Sequence, residues 1–317
     1  MANTILLALT PIFFVMALGY GAGRLKMVDN RHVDSLNALV MNFALPASLF
    51  AATASAPRSE MFAQAPLFAI LGGVMLGLFL AWYFIQIHWF GVSKPDASLQ
   101  ALTIAFPNLA GVGLPILAGV VGPTGAVPLA VVLAAGSIII SPLSLILVEL
   151  NVRKEDGAAE ATQNARILRA LWHAITKPIV VAPALGILFS LCGLPTNRVI
   201  EASLLLIGHA APGVALFLTG LVLSSQKFQL DRKVVGATWA ADIARPLLTA
   251  AVVYALPISA ETARIAVLLA AVPSGFFGIL FAVNYRLDSA AAGSMVIAST
   301  VLSIVTMAIA IAVLFPG

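Results

Sequence analysis

An all-helical integral membrane protein of ten transmembrane helices, built as two inverted five-helix repeats with broken helices four and nine, is the fold class this sequence predicts. Three observations predict it. Hydrophobic residues make up 61% of the 317 and charged residues 9%, with a mean hydropathy of +1.04, whereas a water-exposed surface usually calls for about 25% charge. The apolar residues fall in long runs rather than ten-residue alternations, as helices that satisfy their own backbone in hydrocarbon require. Proline interruptions recur at one offset, since Pro46 and Pro212, like Pro107 and Pro273, stand 166 positions apart.

The first span, residues 3–24, has no Lys or Arg ahead of it and Arg24 and Lys26 behind it, the charge order of a retained helix rather than a leader peptide. Asp29-Asn30-Arg31 separates it from the second span, 33–54, and Ala56-Pro57-Arg58 precedes the third, 63–87. Ser93-Lys94-Pro95-Asp96 opens the fourth, 97–121, which is interrupted at Phe106-Pro107-Asn108-Leu109-Ala110-Gly111-Val112-Gly113. Gly122-Pro123-Thr124-Gly125 turns into the fifth, 125–149, and the hydrophilic stretch from Asn151 to Arg169 follows. Spans six and seven, 174–193 and 199–224, flank Leu194-Pro195-Thr196-Asn197. The eighth, 233–257, ends at Pro257. The ninth, 262–284, is interrupted at Val272-Pro273-Ser274-Gly275-Phe276-Phe277-Gly278, and the Arg286 region leads to the tenth, 289–315. Pro, Gly and charge at each boundary are turn chemistry. The division is a first repeat 1–150, a cytoplasmic linker 151–170 and a second repeat 171–317.

With the amino end outside, the loops after spans one, three, five, seven and nine carry 13 of the 17 Lys and Arg residues, and the opposite loops carry Arg58, Arg198 and Arg264. That asymmetry places both termini outside. Five spans per half force the second half to enter from the opposite face, so the repeat is inverted. The stretches Phe43-Ala44-Leu45-Pro46-Ala47 and His209-Ala210-Ala211-Pro212-Gly213 echo one another, as do Ser137 and Ser303. Cys192 is the sole cysteine, which excludes an intrachain disulfide and a multi-cysteine metal site. Motifs of membrane enzymes, ATP-binding loops and acidic metal clusters are missing, so the sequence points to no enzyme, no cofactor, no metal and no nucleic-acid partner.

Pro107 and Pro273 each open the helical ladder, and the neighbouring glycines permit tight backbone. Paired broken helices are the sequence pointer to a secondary transporter's site. Each second half-helix begins with unpaired amides and a positive dipole end, so Asn108, Leu109, Ala110 and Gly111 with Ser274, Gly275, Phe276 and Phe277 form a candidate anion site. Ordinary packed kinks are the bland alternative. Asp242 and Arg245 lie within span eight at i,i+3 spacing, which lets them form a structural pair or serve ion coupling and carboxylate binding. Asn42 and His209 occupy equivalent stretches near Pro46 and Pro212; Asn42 is a substrate contact or interhelical glue, and His209 a packing residue or proton relay. Ser137, Ser141, Ser299, Thr300 and Ser303 either line a cavity or bond back to their own helices.

Several runs resemble the auxin efflux carrier family, with the bacterial malonate-transporter branch the nearest match. They are Ala8-Leu9-Thr10-Pro11-Ile12-Phe13, Gly19-Tyr20-Gly21-Ala22-Gly23, Met27-Val28-Asp29-Asn30, Val40-Met41-Asn42-Phe43-Ala44-Leu45-Pro46-Ala47, Pro107-Asn108, Gly113-Leu114-Pro115-Ile116-Leu117, Ala215-Leu216-Phe217-Leu218-Thr219-Gly220 and Ser274-Gly275-Phe276-Phe277-Gly278. The resemblance implies a fold similar to bile-acid and sodium/proton transporters, working as an elevator. It implies a scaffold and homodimer surface from spans one, two, six and seven, and a moving unit from spans three to five and eight to ten. Pro107, Asn108, Pro273 and Ser274 take the crossover positions. The implied function is transport of a small organic anion, malonate or a similar dicarboxylate, in a bacterial inner membrane, with a proton, sodium or no coupling ion. A cation/proton antiporter and an exporter of an auxin-like monocarboxylate are the alternatives.

Overall fold

The computed structural model describes residues 2–28, 33–151, 168, 169, 172, 175–194, 196–285 and 287–316. All its regular elements are helices. Helix α1 (Ala2–Arg24) is one rod. Helices α2 (Val33–Leu39) and α3 (Leu45–Ala54) are joined by a π-helical turn, Val40–Ala44. A short α4 (Arg58–Ala63) bends at Gln64 into α5 (Ala65–His88), because Pro66 suits only the first turn of a new helix.

Ser93 caps α6 (Lys94–Ala105), its hydroxyl accepting from the Asp96 amide. The helix stops at Phe106, held extended because it precedes Pro107. A π-helical turn over Leu109–Gly113 then leads into α7 (Leu114–Val120). Helices α8 (Ala126–Ala135) and α9 (Ser141–Asn151) flank another such turn, Gly136–Ile140. Most of the expected linker 151–170 lies outside the described residues.

Helix α10 (Pro178–Cys192) ends on Gly193, whose φ of +66° is the left-handed conformation that helix ends favour. Helices α11 (Arg198–Gly208) and α12 (Ala211–Ser225) meet at a turn before Pro212. Asp231 caps α13 (Arg232–Trp239), which continues through the π-helical turn Ala240–Ala244 into α14 (Arg245–Ala255). Ser259 caps α15 (Ala260–Ala270), and α16 (Phe277–Asn284) and α17 (Ala290–Leu314) complete the chain.

By length and apolar composition, five of the described helical rods suffice to cross a membrane: Ser35–Ala54, Met61–His88, Ala126–Asn151, Arg198–Ser225 and Ala290–Leu314. Leu109–Val120 and Pro178–Cys192 are shorter apolar helices. The predicted spans four and nine fall short as single rods because each is cut in two. Large apolar side chains cover the outside, Leu7, Leu206 and Val313 being more than two-thirds exposed, which a lipid surface accommodates and water does not.

Small residues let these helices touch. A Cβ on Gly220 of α12 would sit 1.9 Å from the Met16 carbonyl oxygen of α1, and one on Gly19 would sit 2.0 Å from that of Phe217. Gly186 of α10 faces Thr53 of α3 in the same way, and Gly278 of α16 faces Thr103 and Leu99 of α6. Between helices already surrounded by hydrocarbon, such close backbone approach supplies the packing energy.

Candidate functional site

The two interrupted helices meet. Pro107 and Ser274 pair as an antiparallel bridge of extended backbone, and the Asn108 amide donates to the Pro273 carbonyl at 2.8 Å. The Gly275 amide donates back to the Phe106 and Thr103 carbonyls, at 3.0 and 3.1 Å. Asn108, Ser274 and Phe276 are buried, and the Phe106 and Phe277 rings pack at 5.1 Å between centroids.

This pairing corrects the expected run of free amides. Buried N–H groups take whatever acceptor is in reach, and most here have one. Besides Asn108 and Gly275, Leu109 donates to the Pro107 carbonyl, Gly111 to the Asn108 Oδ1, and Ser274 to the Ser299 hydroxyl. Among the described residues the amides of Ala110 and Phe276, one in each segment and 166 positions apart, have no acceptor, nor does that of Phe277. Asn108 also donates from Nδ2 to the Thr219 hydroxyl of α12, at 3.4 Å.

Behind the crossing lies Arg245, almost wholly buried. Its Nε donates to the Ala270 carbonyl at 2.8 Å, while its two terminal nitrogens donate to the carbonyls of Ile104 and Val272. Ile104 and Ala270 lie at the ends of α6 and α15 and Val272 two residues past α15, where the chain abandons the helix and leaves acceptors without intrahelical donors. A guanidinium fork fits there because it offers several donors in one plane, and its charge opposes the negative ends of two helix dipoles.

Arg245 therefore does not pair with Asp242, as the i,i+3 spacing suggested. The π-helical turn Ala240–Ala244 inserts an extra residue into the helix, which turns the guanidinium toward the breaks. The role expected for it as a carboxylate ligand is likewise displaced, since its donors are engaged by backbone.

Asp242 instead accepts from the Ser299 hydroxyl of α17 at 2.7 Å through Oδ1, and its buried Oδ2 has no partner among the described residues. The Ser299 oxygen in turn accepts the Ser274 amide at 2.8 Å. Ser299 thus bonds across helices, whereas Ser303 bonds back to the Thr300 carbonyl of its own helix.

Asn42 is exposed within its π-helical turn, His209 is exposed at the α11–α12 junction, and neither side chain hydrogen-bonds to a crossing residue among the described ones. Both sit beside an interruption ahead of Pro46 or Pro212, so the shared offset marks two real breaks of different form. The Ser137–Ser303 echo is not matched in conformation, because Ser137 occupies a π-helical turn and Ser303 a regular helix. Thr219, Thr103 and Phe106 were missed as partners of the crossing because their contacts are between distant segments.

Comparison with known proteins gives a family model, described as a membrane transport protein, that matches residues 4–311. An uncharacterized transporter of Escherichia coli K12, YfdV, is 30% identical over 278 residues, covering 88% of this chain and 87% of its own. An uncharacterized transporter of Methanothermobacter thermautotrophicus is 25% identical over 303 residues, 93% of this chain and 94% of its own. Auxin efflux carrier component 8 of Arabidopsis thaliana is 23% identical over 326 residues, 88% of this chain and 89% of its own.

Proposed function

Because the chain belongs to the membrane transport protein family, that of the auxin efflux carriers, we propose that it is a secondary transporter of a small organic anion, with malonate or a similar dicarboxylate as the first choice. The observation that carries this reading is the pair of free amides at Ala110 and Phe276, presented by two helix starts that the Pro107–Ser274 bridge holds together. Amides and dipole ends of this kind favour negative charge. The Asn108 side chain and the hydroxyl of Ser274 flank them and supply further hydrogen bonds to a carboxylate.

In this reading the protein works in a bacterial inner membrane with ten spans, two inverted repeats and both termini outside. The close contacts of α1 with α12 and of α3 with α10 support a static scaffold that also dimerises. The crossing and the helices around it form the unit that carries the anion. Bound anion offsets the positive helix ends and lowers the cost of passing the site along an apolar wall.

Uptake of radiolabelled malonate into proteoliposomes tests the reading. Asn108→Leu and Ser274→Leu are expected to abolish uptake while size-exclusion profiles and melting temperatures persist; undiminished uptake would remove the crossing from the mechanism. Sodium flux without any organic anion would favour the antiporter reading instead.

A further inference from the structure

We propose that Asp242 is a proton-binding site, that the proton travels with the anion, and that Ser299 passes the charge state of Asp242 to the crossing. The proposal rests on the anion-transport reading above and names its coupling ion.

Asp242 lines a cavity of about 420 Å³ that runs between α14 and α17, over the end of α15, toward Tyr254 and Val313. The distribution of basic residues assigns that end to the outside. Two buried oxygens that lack a partner among the described residues, Oδ2 of Asp242 and Oγ1 of Thr306, belong to residues lining this one cavity. The rest of its lining is apolar apart from Tyr254, and among the described residues no other acidic or basic side chain lines it. The nearest fixed cation, Arg245, three residues along the same helix, directs its nitrogens to the carbonyls of Ala270, Ile104 and Val272 rather than to the carboxylate. A buried carboxylate with one neutral donor and one bare oxygen is a costly charge. A proton cancels that charge by binding a single oxygen. A metal ion would need several oxygens together, and the described residues offer no acidic or histidine cluster to supply them.

The coupling follows from the hydrogen-bond chain. While Asp242 is ionised, the Ser299 hydroxyl is fixed as its donor, and the Ser299 lone pair is held on the Ser274 amide. Proton uptake makes Asp242 a weaker acceptor, frees the hydroxyl to rotate and releases the Ser274 amide toward the anion. It also removes a negative charge two hydrogen bonds from the site. Both effects tighten anion binding, so proton and anion enter together.

Malonate binding to purified protein is measured across pH by calorimetry, with proton uptake followed by a dye in weak buffer. Relative to Asp242→Asn at the same pH, which cancels the ionisation of malonate itself, wild-type affinity is expected to fall by up to about tenfold per pH unit as Asp242 ionises. One proton is taken up per malonate in wild type and none in the variant. An infrared carboxylic-acid band that titrates in wild type and vanishes in Asp242→Asn is the ligand-independent readout; Asp242→Glu, which shifts the band, replaces it if that variant does not fold. Identical pH profiles in both proteins, or no titrating band, would overturn the coupling alone. Failure of malonate and other small carboxylates to bind at any pH would overturn the anion reading and the coupling with it.

Discussion

The Gly275 amide donates to the Phe106 carbonyl at 3.0 Å, and a Cβ on Gly275 would lie 2.4 Å from the same oxygen. Backbone on both sides leaves nothing flexible to move aside. Gly275→Ala is expected to pry the two segments apart, costing about 1–3 kcal/mol. A lower melting temperature and lost malonate uptake would be the signature, and an unchanged melt would show that the crossing is looser than described.

Arg245 answers three carbonyls at the ends of two different helices. Lysine keeps the charge but not the planar fork. Arg245→Lys should leave at least one carbonyl bare at about 1–3 kcal/mol each, and Arg245→Met all three. Thermal melts in detergent are expected to rank wild type above Lys and Lys above Met.

Gly220 faces the α1 backbone rather than the crossing. Gly220→Leu should separate α1 from α12 and lower the melting temperature. The malonate affinity of the protein that remains folded is expected to hold, which calorimetry on the monodisperse fraction would check.

Tyr285 lies in the loop before α17 and donates to Glu149 Oε1 at 2.9 Å. Burial, and then the hydrogen bond and charge of Glu149, push its hydroxyl above the ordinary tyrosine range. A raised folded-state value means the contribution is complete below the unfolded value near 10 and is lost as pH climbs above it. Between pH 9 and pH 11 the wild-type melting temperature should therefore drop further than that of Tyr285→Phe.

Most helices and the two proline breaks were legible because their causes are local: apolar runs, and turn residues such as Ser93 and Pro107, act within a few residues. Bringing Pro107 and Pro273 together was legible too, through their common offset. The fate of the amides was not, since the acceptors for Asn108 and Gly275 come from the opposite half of the chain. The π-helical turn before Arg245 carries no composition signal, so helical spacing aimed this side chain at Asp242 when it faces Ile104, Ala270 and Val272.

Counting back 166 positions from Arg245 arrives at Phe79, a fully buried ring that can donate to no carbonyl. If the halves descend from one duplicated ancestor, only one copy now supplies the brace for both severed rods, and the other has become plain filling. A chimera of two first halves would lack the guanidinium altogether. In that case the likeness of the two halves is one of outline, and their cohesion depends on a division of labour that a doubled first half could not sustain.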